Sequence, residues 1–108
     1  MNLQDKIDIS ILNTVYGNLL TPHQKEMVRL YYDCDISLFE ISEQFGISRQ
    51  AVRDSLVRAE KALLNYEEKL GIISKNKQLL VLLEKVDSLE DINDIKAIVN
   101  MAIDKLEE

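Results

Sequence analysis

Two serine-capped segments with one glycine between them constrain this 108-residue chain more than any other feature. The first segment follows Ser37, the second follows Ser48, and Gly46 stands between them. Serine is a preferred N-cap residue, and glycine readily adopts the left-handed conformation that ends many helices. Ser42 supplies a small residue where two such helices would cross. The stretch from 37 to 63 therefore predicts a helix-turn-helix.

Aliphatic residues recur every three or four positions after Ser48, which predicts a long amphipathic helix. No glycine or proline interrupts it before Gly71, so we expect more than about 20 residues, or about 30 Å. If its apolar face is buried, the opposite face projects away from the bundle. The predicted core positions are Val52, Leu56, Ala59, Leu63 and Tyr66.

The segment before the helix-turn-helix predicts two further helices. Its N-terminal apolar residues recur four apart, as along one face of a helix. The sequence TPHQ at 21–24 combines an N-cap threonine, a proline at the first helical position and a glutamine that completes a capping box. A second helix should therefore run over 22–32. We expect Tyr31 to be buried beside Met27 and Leu30.

The C-terminal third predicts a helical hairpin. A fifth helix is expected over about 75–86, and Ser88 with Asp91 should cap a sixth helix that has a wide apolar stripe. The hairpin should pack either on the fourth helix or across a homodimer. We predict an all-α fold with two parts, a helix-turn-helix domain at 1–71 and an acidic hairpin at 72–108.

The charge of the chain is unevenly distributed. The net charge is −6, whereas nucleic-acid-binding domains are usually basic. Between Ile47 and Lys61 four cations accompany two carboxylates, and from Gln78 onward three lysines accompany eight. The fourth helix is therefore mildly basic and the tail acidic. The tail carboxylates either form a solvated face or mask the basic helix.

The outward face of the fourth helix carries a candidate nucleic-acid-binding site. Arginine can donate two hydrogen bonds to guanine, and glutamine can pair with adenine. Cations further along can neutralise phosphates, as can the N–H groups of capped helix N-termini. In the plainer alternative the serines only cap helices, and the arginines stay solvated or pair with Asp54 and Glu60. The candidate residues are Ser37, Ser48, Arg49, Gln50, Arg53, Arg58 and Lys61.

Other classes of function find no support in the sequence. With one cysteine, Cys34, and one histidine, His23, we expect no disulfide within the chain and no metal cluster. There is no phosphate-binding glycine loop and no nucleophile beside a base, so we expect no enzyme, cofactor or small-molecule substrate. The longest apolar run, at 79–83, is too short for a membrane span, and the N-terminus has no signal-peptide pattern. We therefore expect a cytoplasmic protein.

Four stretches carry a family resemblance: NTVYGNLLT at 13–21, LYYDCDISLFEIS at 30–42, FGISRQAVRD at 45–54 and YEEKL at 66–70. They resemble the YlxM-type family, the signal-recognition-particle-associated helix-turn-helix proteins of Gram-positive bacteria. The central part is also similar to the C-terminal promoter-reading region of bacterial sigma factors. The resemblance implies a sigma-region-4-like or winged-helix-like bundle, with Ser48–Leu64 as the reading helix. The acidic C-terminal third matches no sigma motif.

Two functional hypotheses follow. In the first, the protein is a regulator that binds duplex DNA and, as the resemblance implies, acts in the signal recognition particle pathway. In the second, it is a non-catalytic adaptor that binds a component of that particle, either a protein or its small RNA. The basic helix favours the first hypothesis, and the net charge and the apolar tail favour the second.

Overall fold

The computed structural model describes residues 3–107, with side chains from Asp8 onward. This part of the chain is helical and contains no strand, so the predicted all-α class is confirmed. The winged-helix-like alternative is wrong, because the β-hairpin of a wing has no counterpart in residues 3–107. The α-helices are α1 (Leu3–Tyr16), α2 (Pro22–Val28), α3 (Leu38–Phe45), α4 (Arg49–Leu70), α5 (Ile72–Ser88) and α6 (Ile92–Glu107).

The chain divides into two compact units. The first contains α1–α4 and ends at Gly71, and the second begins at Ile72 and contains α5 and α6. Gly71 has φ 63° and its N–H donates to the Glu67 carbonyl, which ends α4 in the left-handed conformation. A Cβ at Gly71 would meet no atom within 4 Å. Glycine is therefore required there by the backbone conformation and not by space.

The long α4 is the element on which the first unit is built, and it packs against α1, α2 and α3. Its predicted inner positions Val52, Leu56, Ala59 and Leu63 are buried, and Tyr66 is half-buried. Burying one large aliphatic side chain stabilises a fold by about 1.5–3 kcal/mol, so this stripe holds α4 firmly. Among the side chains from Asp8 onward, the other buried apolar residues of this unit are Ile9, Leu12, Tyr16, Met27, Val28, Leu30, Tyr32 and Ile41.

Two buried tyrosines also fasten α4 through their hydroxyls. The Tyr16 hydroxyl donates to Glu67 Oε1 at 2.7 Å, and the Tyr32 hydroxyl donates to the Glu60 carboxylate. A buried hydroxyl without a partner would cost about 1–3 kcal/mol. The two pairs therefore favour one rotation of α4 about its axis.

The prediction that Tyr31 lies in the core is wrong, because Tyr32 is buried and Tyr31 is only half-buried. The cause is a π-helical turn at Arg29–Asp33, which follows α2. Its i→i+5 hydrogen bonds widen the backbone beyond the 3.6-residue period on which the prediction rested. The wider turn moves the inward position by one residue.

The predicted capping box of α2 is confirmed. Gln24 N donates to Thr21 Oγ1 at 3.2 Å, and Thr21 N donates to Gln24 Oε1 at 3.3 Å. Ser88 does not cap α6, because α5 continues through Ser88 and its hydroxyl donates to the Lys85 carbonyl. Asp91, the residue directly before α6, is the cap and accepts a hydrogen bond from the backbone of the new helix at 2.8 Å.

In the second unit α5 and α6 contact each other. Half-buried apolar residues recur along both helices and mark the seam between them: Leu79, Leu82 and Val86 of α5, and Ile95, Ile98 and Ala102 of α6. No residue of α5 or α6 is fully buried. The hairpin therefore has a seam but no enclosed core.

Candidate nucleic-acid interface

The helix-turn-helix is formed by α3, a tight turn and α4. Ser37 Oγ accepts a hydrogen bond from Glu40 N at 3.1 Å, and Ser48 Oγ accepts one from Ala51 N at 3.0 Å. Gly46 lies between the helices with φ 68° and ψ 34°. A Cβ there would meet no atom within 4 Å, so the turn requires the left-handed backbone that glycine adopts without strain. Both caps and the turn lie where the sequence predicts them.

Ser42 is the small residue at the contact between α3 and α4, and it is buried. Its hydroxyl donates to the Phe39 carbonyl at 2.7 Å, so its polar atom has a partner within α3. Ile41 beside it is fully buried. The burial of Ser42 and Ile41 accompanies the packing of α3 against α4.

The outer face of α4 is accessible. All the predicted site residues are exposed: Ser37, Ser48, Arg49, Gln50, Arg53, Arg58 and Lys61. A helix that enters the major groove must present its first turns to solvent in this way.

Helical geometry separates these residues into groups. At about 100° per residue, Arg53 lies about 40° and Gln50 about 100° around α4 from Arg49. Arg58 lies about 180° from Arg49, and Lys61 lies about 16 Å along the helix from Gln50. The structure therefore groups Arg49, Gln50 and Arg53 at the start of α4. It places Arg58 on the opposite flank of α4.

Gln50 is hydrogen-bonded to an acid one turn further along. Its Nε2 donates to Asp54 Oδ1 at 2.9 Å. The amide keeps one N–H and its carbonyl oxygen, which are the groups that glutamine uses on adenine. Asp54 is itself exposed on the outward side. A carboxylate there repels phosphates but can accept a hydrogen bond from the amino group of cytosine.

Sequence reasoning missed Asp54 as a site residue, since it considered Asp54 only as a partner for arginines. The sequence feature that could have revealed Asp54 is its position four residues after Gln50, because side chains at that spacing can form a hydrogen bond along a helix. Glu60, the other carboxylate considered as an arginine partner, accepts its hydrogen bond from Tyr32.

Phe39 is a second site residue that sequence reasoning missed. Its ring is 52% exposed on α3, and Arg49 Cζ lies 5.8 Å from the ring centroid. That distance is within the range of cation–π attraction. Ile47, in the turn between the helices, is also exposed. The guanidinium of Arg49 therefore has an aromatic neighbour on the surface. The sequence signal for Phe39 was a large aromatic residue outside the apolar stripe of α3.

The positive charge of the interface is local. Residues 1–71 contain eight lysines and arginines against eleven aspartates and glutamates, a net charge of −3. Arg29 is bound to Glu26 at 2.5 Å, and this hydrogen bond holds the pKa of the Glu26 carboxyl below its usual value.

Among the described residues no three histidine, cysteine or acidic side chains converge as metal ligands. No helix within 3–107 is long and apolar enough to cross a bilayer.

Comparison with known proteins places the chain in one family. The family described as YlxM / p13 like, UPF0122, matches residues 3–103. A UPF0122 protein of Desulforamulus reducens is 49% identical over 86 residues, which cover 76% of this chain and 74% of the relative. A UPF0122 protein of Clostridium novyi is 44% identical over 96 residues, covering 85% and 84%. One from Symbiobacterium thermophilum is 40% identical over 95 residues, covering 88% and 89%. The chain therefore belongs to the YlxM / p13 like helix-turn-helix family UPF0122.

Proposed function

We propose that this protein is a cytoplasmic, non-catalytic regulator that binds duplex DNA through the N-terminal turns of α4. The observation that carries the proposal is the exposed group of Arg49, Gln50 and Arg53 in the first turns of α4, a helix that its buried stripe anchors in the first unit. The major groove, about 12 Å wide, admits one α-helix. Arginine and glutamine are the side chains that most often read guanine and adenine there.

The other parts of the first unit support this mode of binding. The N-terminus of α4, capped by Ser48, presents backbone N–H groups and the positive end of a helix dipole, which suit a phosphate. Ser37 gives α3 the same kind of end. Arg58 and Lys61 could add phosphate contacts further along α4. Because each phosphate contact releases counterions, binding should weaken with salt.

We also propose a cellular role in the signal recognition particle pathway and a homodimeric state for this protein. The role in the signal recognition particle pathway rests on the resemblance of residues 7–71 to proteins associated with that particle. A homodimer would present two reading helices to one duplex, as symmetric operators require.

A second candidate function is an adaptor that binds a protein or the small RNA of the signal recognition particle. Two observations favour it. Asp54 places a negative charge on the reading face, and the exposed Phe39 and Ile47 give that face an apolar edge. Apolar and aromatic side chains are typical of protein interfaces and of surfaces that stack unpaired RNA bases.

One experiment separates the two candidates. The affinity of the purified protein for a random duplex and for signal-recognition-particle RNA is measured side by side while salt is raised. We expect the protein to bind the duplex. The logarithm of the association constant should fall by about 0.9 per phosphate contact for each tenfold rise in salt concentration. The double variant Arg49→Ala with Arg53→Ala should lose most of it. Lys69→Ala, which removes an exposed cation near the far end of α4, is the control.

The outcomes differ for each candidate. Negligible duplex binding at physiological salt together with tight RNA binding would favour the adaptor. Equal losses from the Lys69 variant and the double variant would mean that binding is not localised at the start of α4, and this would contradict the proposed reading face.

A further inference from the structure

The hairpin of α5 and α6 leaves large apolar side chains in solvent. Six of them, between 40% and 72% exposed, define what we call the hairpin face: Leu80 and Leu83 of α5 with Ile92, Val99, Ile103 and Leu106 of α6. Together with the absence of any fully buried residue in α5 or α6, this is unusual, because monomeric proteins rarely expose large contiguous apolar patches.

Helical geometry places the six side chains on one side of the hairpin. On α5, Leu83 lies about 70° clockwise from the seam direction, viewed from the helix N-terminus. On α6, Val99 and Ile103 lie about 70° and 110° clockwise from their own seam direction. Because the two helices of a hairpin are antiparallel, residues that lie clockwise from the seam on either helix are on the same side of the hairpin. The hairpin face is therefore continuous, whereas Val81 and Met101 lie on the other side.

The size of the hairpin face fits a dimer. Two helices of about 16 residues, side by side, present a surface about 24 Å long and about 20 Å wide. That projection, about 480 Å², is about 60% of the about 800 Å² per partner that specific interfaces bury, so the hairpin face would supply the larger part of such an interface. A single helix would cover only about half of the width, whereas a second hairpin covers all of it.

Charged residues at the rim are also arranged as a two-fold dimer requires. Asp87 lies on the outer edge of α5 and Lys96 on the outer edge of α6, within about one helical turn of the same height. A two-fold axis along the hairpin places α5 of each copy against α6 of the other. Asp87 then lies beside the second copy's Lys96, and the same pair forms again on the opposite edge.

We propose that the hairpin face is covered by the hairpin face of a second copy of this chain, which gives a four-helix bundle of two α5–α6 hairpins. Each copy buries its exposed stripe of α6 against α5 of the other. This interface assigns the second unit a function of its own, dimerisation, and it holds whether α4 binds DNA, RNA or protein.

The test compares four single variants of the full chain, each of which adds one carboxylate to the hairpin. Leu83→Glu and Ile103→Glu change the hairpin face, and Val81→Glu and Met101→Glu change equally exposed residues on the other side. Analytical ultracentrifugation over a wide concentration range gives the mass. We expect the unmodified chain and both controls to sediment at twice 12.4 kDa.

The two face variants should raise the dimer dissociation constant at least about tenfold, because each would bury a carboxylate in an apolar interface. Circular dichroism checks that they remain helical. A monomer at every concentration for the unmodified chain would overturn the proposal, even if a variant unfolds. Equal dissociation of the Val81 and Met101 variants would place the interface elsewhere and overturn it as well.

Discussion

Replacing Phe39 by leucine tests whether the exposed ring acts through Arg49. Arg49 Cζ lies 5.8 Å from the ring centroid, and the ring is 52% exposed. Exposed cation–π pairs contribute about 0.5–1 kcal/mol. Leucine keeps an apolar side chain at this position but removes the π system. If the ring orients Arg49 for binding, the variant should bind its nucleic acid about two- to fivefold more weakly, since 1.4 kcal/mol corresponds to tenfold.

The effect on stability should be much smaller. About half of the Phe39 ring is already in solvent, so leucine loses little buried area, and the free energy of unfolding in urea should change by less than about 0.5 kcal/mol. Binding is measured by fluorescence anisotropy with a labelled duplex, or with the RNA if that is the tighter ligand. Unfolding is followed by circular dichroism in the same buffer.

A double-mutant cycle decides the mechanism. In the Arg49→Ala background, Phe39→Leu should have no further effect on affinity, because the group that the ring orients is gone. An equal loss in both backgrounds would show that the ring contacts the ligand directly. No loss in either background would show that the pair contributes nothing to binding. Either result would refute the reasoning.

Three further predictions concern the helix-turn-helix. Gly46→Ala should lower the free energy of unfolding by about 1–2 kcal/mol, because alanine is strained in the left-handed conformation. Gly46→Asn should lower it by less, because asparagine tolerates that conformation better. Equal losses for the two variants in urea titrations would contradict this cause. Leu63→Ala should lower the free energy of unfolding by about 2–5 kcal/mol because Leu63 is fully buried, whereas Leu64→Ala should lower it far less because Leu64 is exposed. Similar urea midpoints for the two variants would be inconsistent with the buried stripe. Asp54→Asn should raise affinity for random duplex several-fold by removing a carboxylate from the reading face, and an unchanged dissociation constant would mean that Asp54 does not approach phosphates.

Much of the first unit could be predicted because its signals are local. Ser48 caps α4 through the backbone of Ala51, three residues away. The inward positions from Val52 to Leu63 follow from the 3.6-residue period. Gly46 ends α3 for a conformational reason that its own φ angle expresses. Interactions within about four residues can be read from a sequence without knowing how the helices pack.

The errors in prediction occur where that local regularity ends. Because of the π-helical turn at Arg29–Asp33, Tyr32 is the buried residue where Tyr31 was predicted. Because α5 is longer than predicted, Asp91 caps α6 where Ser88 was predicted to do so. The site residues that were missed show the same limit. Phe39 and Arg49 lie on different helices, so their contact depends on how α3 crosses α4.

The sequence by itself determined which residues of α4 face inward and where α3 and α4 begin. Only the tertiary structure decided how α4 is rotated and which side chains it meets. Tyr16 and Glu67, 51 positions apart in sequence, form a hydrogen bond that no period or cap predicts. The physical reason is that helical periodicity and capping arise from neighbours along the chain, whereas helix rotation and side-chain partners arise from packing between distant segments.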